Sequence, residues 1–160
     1  MMRSLKKQLI LVPLLCSLLL LTGCSYITDF AVINESDQPV EVRYKIKNYP
    51  GSFSPPVTPA TIVASQLSTK GKQQWNKLVP DRYQLDQENR TVVVRVMPNE
   101  ALLVVDMHNY GGHEDTWDAK EFPIEQITVK GSRGEITFTN DNARRSFSEV
   151  SRALYTLTYK

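Results

Sequence analysis

The stretch PVEVRYKIK, residues 39–47, constrains the fold of this chain more than any other. Val40, Val42, Tyr44 and Ile46 alternate with Glu41, Arg43, Lys45 and Lys47. A period of two is the repeat of a β-strand, and β-branched and aromatic residues alternating with charges mean one buried face and one wet face. Residues 26–34 read as a strand before it, and NESDQP, residues 34–39, is built of residues that favour turns, so 26–34 and 40–48 are expected to pair as a hairpin. YPGSFSPPVTP, residues 49–59, holds four prolines and no helical period, and is expected as an extended crossing loop.

Further along, residues 60–67 predict a short strand, and Trp75 and Leu78, three apart, fit one helical turn that lids the core. Tyr83 and Leu85 mark another short strand, and RTVVVRV, residues 90–96, a strong one. After the turn MPNE, ALLVVDMH (101–108) is expected to return as its partner, and its near-continuous apolar run places it centrally in a sheet. EQITVK and GEITFTN flank GSRG as a hairpin in which Ile127 and Val129 face Ile136 and Phe138. DNARRSFSEV predicts a short helix, and ALYTLTYK a last strand that forms a protected edge or closes a sheet. About eight or nine short strands with turns roughly every 8–12 residues predict an all-β fold, an antiparallel β-sandwich. Its expected form is immunoglobulin-like or jelly-roll-like with at most one or two short helices; a small barrel is the alternative.

The first residues follow another rule. Arg3, Lys6 and Lys7 precede an apolar run, residues 9–21, too short to span a bilayer comfortably, which is the pattern of a signal peptide. The run ends in Leu21-Thr22-Gly23-Cys24, which resembles the lipobox of bacterial lipoproteins: an aliphatic residue, a small one, Gly or Ala, then Cys. The resemblance implies that residues 1–23 are a signal peptide cut between Gly23 and Cys24, and that Cys24 carries a covalent diacylglycerol. Residues 24–28 are then a lipidated tether reaching at most about 17 Å, and residues 29–160 a single β-rich domain. Two or more acyl chains hold a protein stably at a membrane. By the same resemblance Ser25 favours the periplasmic face of the outer membrane if the cell is Gram-negative.

With Cys16 discarded and Cys24 lipidated, the mature chain has no free thiol and no disulfide, so its stability must come from packing. Removing Arg3, Lys6 and Lys7 from 19 Lys+Arg leaves 16 against 17 Asp+Glu, a balance that makes no case for a nucleic-acid partner or a basic membrane-binding patch.

DMHNYGGHEDTWD, residues 106–118, holds both histidines and four acids. His and carboxylate oxygens suit a divalent metal, and the candidate ligands are His108, His113 and Glu114 or Asp115. GSRG and the pair Arg144-Arg145 are candidate contacts for anionic lipid or glycan, against a plain solvated surface. No Gly-x-Ser-x-Gly elbow, Walker loop or free cysteine nucleophile is present, no catalytic residue is named, and the chain is read as a non-enzyme. The expected function is a membrane-anchored binding or assembly module with an envelope protein as partner, since strand addition at a sheet edge leaves little trace in sequence. The alternatives are a metal- or small-ligand-binding lipoprotein using the 106–118 loop, and an envelope hydrolase.

Overall fold

The computed structural model describes residues 26–48, 62–66, 74–78, 80–109, 122–151 and 153–160. The alternation of residues 40–46 becomes strand β2 (Val40–Ile46), with Val40, Val42 and Tyr44 buried and Glu41 and Arg43 exposed. It lies at the middle of a five-stranded sheet ordered β5 (Tyr83–Asp86), β6 (Thr91–Val96), β2, β8 (Ile124–Gly131), β9 (Gly134–Thr139). A six-stranded sheet is ordered β10 (Ser148–Ser151), β11 (Leu154–Tyr159), β1 (Tyr26–Asn34), β7 (Glu100–Asn109), β3 (Val63–Gln66), β4 (Asn76–Lys77). One 3-10 turn (Pro80–Arg82) and one short helix, α1 (Asp141–Arg145), complete the described elements. No helix among the described residues is long and apolar enough to cross a membrane. The fold is thus an all-β sandwich of two mainly antiparallel sheets; among the described strands only β1 and β11 pair in parallel.

The core fills the space between the sheets. Phe30, Val32 and Leu102 from one meet Val42, Val94 and Ile127 from the other, all buried. Phe30 centres an aromatic cluster, with ring centroids 4.9 Å from Phe122, 5.6 Å from Phe147 and 5.0 Å from Tyr155. The Arg144 guanidinium caps that cluster, 5.0 Å from the Phe30 centroid and 4.5 Å from that of Tyr155. Burial raises the Tyr44 pKa well above the ordinary tyrosine value. The phenol is therefore neutral in the core, and its contribution to stability holds below about pH 10 and fades as the pH climbs beyond it.

Two expected hairpins are corrected. β1 and β2 lie in different sheets, and so do β6 and β7. The connections between them are arches that cross the sandwich, and Asn34 joins the two. Its buried amide donates to Gln38 O at 2.8 Å and to Val96 O at 3.1 Å, while its Oδ1 accepts from Ser36 N at 3.0 Å. Asn99, in the left-handed region at φ 57°, donates from its backbone to Asn34 O at 2.8 Å. Alternation says which face of a strand is buried, not which strand lies beside it. Residues 76–77 form a short strand rather than a helical turn, and β10 is a strand where the end of the predicted helix lay. β7 is central as expected, β8 and β9 form the expected hairpin, and β11 lies inside its sheet between β10 and β1.

The register fixes the ends of the molecule. β1 starts at Tyr26, so it takes in residues 26–28 of the tether read from the sequence. The start of β1 and the ends of β2, β7 and β9 lie at one end, called near here. The start of β2 and the ends of β1, β8 and β11 lie at the far end.

Candidate functional site

The four outermost strands are not alike. β4 has two residues, β5 has four, and β10 has four with a register shift in its pairing. β9 has six residues in unbroken register with β8, and every one except Phe138 is exposed. An open edge offers unpaired N–H and C=O groups, and proteins commonly blunt such edges with lysine, proline or a bulge. GEITFT carries none of these. Among the described residues no further backbone hydrogen bond reaches β9 from its open side.

β9 is held firmly from behind. Its turn, Ser132-Arg133, closes on Gly134 at φ 122°, a conformation that favours glycine. Tyr159, at the end of β11 in the other sheet, crosses the sandwich and accepts at its hydroxyl from Arg133 N at 3.0 Å. Gly131 leaves room for that ring, since a Cβ there would lie 2.6 Å from Tyr159 Oη. Gly131→Ala is expected to cost about 1–3 kcal/mol, the usual penalty of overpacking, and Gly131→Ala combined with Tyr159→Leu to recover part of it; urea melts of the two variants test this. On the outer face, Thr128 and Thr137 hydroxyls meet at 2.9 Å and lock β8 to β9.

One outward row crosses four strands: Arg95 on β6, Glu41 on β2, Lys130 on β8, Glu135 on β9, each directly opposite the next. The charges alternate strand by strand, an arrangement that favours this register. Glu41 leans toward Arg43 at 3.4 Å, and Arg95, Lys130 and Glu135 make no ion pair among the described residues. A groove of about 520 Å³ opens beside the row at the far end, bounded by Pro39, Asp81, Arg82, Arg95 and Lys130. Arg82 is not free in it: Nη1 donates to Glu100 Oε1 at 3.0 Å, and Nη2 donates to Glu100 Oε2 and to Arg95 O.

The residues singled out from the sequence fare differently. Cys24, and His113, Glu114 and Asp115 of the 106–118 loop, lie outside the described residues. The His108 backbone is in β7, in register with Ile27 near the start of β1. Among the described residues no group of three His, Cys, Asp or Glu side chains could hold a metal ion. GSRG is the turn that Tyr159 grips, and Arg144 lies over the aromatic cluster rather than free at the surface. Sequence reasoning missed the β9 edge, although the absence of Lys and Pro from GEITFT was a readable signal. It also missed the Arg82–Glu100 pair, which joins the 3-10 turn leading into β5 to the first residue of β7 in the other sheet.

Among the described residues the fold is an all-β sandwich whose longest outermost strand, β9, carries no lysine, proline or bulge and a single charge, Glu135. No protein-family model matches the chain, and no curated protein or solved structure matches it.

Proposed function

We propose that this chain is a lipid-anchored binding module of the bacterial cell envelope that takes up an extended segment of a partner protein along β9. The observation that carries the reading is the edge itself: six residues in regular register, all but Phe138 exposed, without a guarding lysine, proline or bulge. The Leu21-Thr22-Gly23-Cys24 motif supports the anchor. β1 begins two residues after Cys24, so the near end would sit against the lipid surface. A nine-residue strand spans about 30 Å, which puts the whole of β9 within that distance of the bilayer. An envelope protein lying on the same membrane could reach it.

Two measurements test the reading. Cys24→Ala is expected to move the protein almost entirely from the membrane to the soluble fraction, because no second anchor is invoked; retention at the membrane would sink the lipid anchor. A photo-reactive residue at Thr139 on β9 of the intact protein is expected to give one dominant adduct with an envelope protein. The same reagent at Gln84, on the opposite edge strand β5, is expected to give none. Equal labelling at the two edges, or none at Thr139, would remove strand addition at β9.

A further inference from the structure

The charge row on the outer face stops at the open edge on a carboxylate. From β6 outward it reads Arg95, Glu41, Lys130, Glu135, and no described cation faces Glu135 on its open side. On the inner face of β9, Ile136 is 50 % exposed although its cross-strand neighbour Val129 is buried, and Phe138 is only partly covered. Next along the outer face stands Thr137, already bonded to Thr128.

On the reading that β9 takes up a strand, we infer the chemistry of that strand: it carries Lys or Arg opposite Glu135 and apolar residues opposite Ile136 and Phe138. Cross-strand neighbours lie about 4.5–5.5 Å apart at Cβ, close enough for opposite charges to attract and like charges to repel. A cation in that place continues the alternation by one strand. β-Branched or aromatic residues in the other two places cover Ile136 and Phe138, and a small polar residue opposite Thr137 keeps the outer face wet. The occupant is therefore an amphipathic basic segment in extended form. A second copy of this chain fits less well: antiparallel pairing of β9 with its own copy about Thr137 would set Glu135 against Thr139, not against a cation.

The test uses the full lipidated chain in detergent and two extended peptides of alternating valine and threonine. They differ only in a lysine or a glutamate at the place that faces Glu135. Binding is read from the amide signals of β9 and from the dissociation constant. The lysine peptide is expected to bind about three- to tenfold more tightly than the glutamate peptide, and Glu135→Lys to reverse that order while leaving the melting temperature within a few degrees. Equal binding of both peptides with β9 signals shifting would overturn the basic requirement and leave strand addition standing. Binding of neither peptide, or binding that leaves the β9 signals unmoved, would overturn both. A dimer of the free protein that β9 variants abolish would assign the edge to a second copy instead.

Discussion

Phe30→Ala is expected to lower the stability of the domain by about 3–5 kcal/mol, the usual cost of deleting a buried phenylalanine. Phe30 is fully buried, and its ring touches Phe122, Phe147 and Tyr155, three side chains from separate parts of the chain. The deletion leaves a cavity walled by Tyr155 on β11 and by Phe122 and Phe147, which lie in the segments just before β8 and β10. It also strips the apolar face from beneath Arg144, whose guanidinium would then lie over one ring rather than two. For a domain of this size the loss corresponds to a fall of roughly 10–15 °C in melting temperature. Phe30→Leu keeps most of the apolar volume and should cost clearly less. Thermal unfolding of the two variants checks the claim, and similar melting temperatures for alanine and leucine would contradict it.

Glu100→Ala is expected to cost a similar amount, about 3–5 kcal/mol, for an electrostatic reason. The Glu100 side chain is 7 % exposed and that of Arg82 is 23 % exposed. The carboxylate takes both terminal nitrogens of Arg82 and also accepts from Met97 N at 2.9 Å. Removing it strands a largely buried guanidinium and an amide. Because Glu100 opens β7 and Arg82 leads into β5, the pair fastens the two sheets at the far end. Replacing both partners, as in Arg82→Met with Glu100→Leu, is expected to recover most of the loss, since an apolar pair carries no desolvation penalty. A double variant as unstable as the single one would show that the Met97 contact or local strain dominates.

What could be read from the sequence was local. The faces of β2, the β8–β9 hairpin and the central place of β7 all follow from alternation, a short turn and an apolar run. Sheet membership does not. NESDQP looks like a hairpin turn because its residues favour turns, yet it is an arch whose path is set by Asn34 reaching Val96 O, far away in sequence. β10 was hidden because the residues of SEVS are all exposed and its one apolar residue, Val150, shows no alternation. Glu100 was hidden for the opposite reason: a charged residue beside an apolar run reads as solvent-facing until its partner is known. The candidate edge was half legible. GEITFT shows that nothing guards it, but only the strand order shows that it is an edge.

The parallel pairing of β1 with β11 bears on how the domain comes into being. Asp29 pairs with Leu154 and Asn34 with Tyr159, so one of the earliest strands translated rests against one of the latest. Until β11 arrives, β1 has an open side, the Phe30 ring lacks its stacking partner Tyr155, and the Gly131 turn lacks Tyr159. Contacts this distant in sequence make folding slow, because a long loop must close before they form. The six-stranded sheet and its aromatic cluster are therefore completed only when β11 lies beside β1.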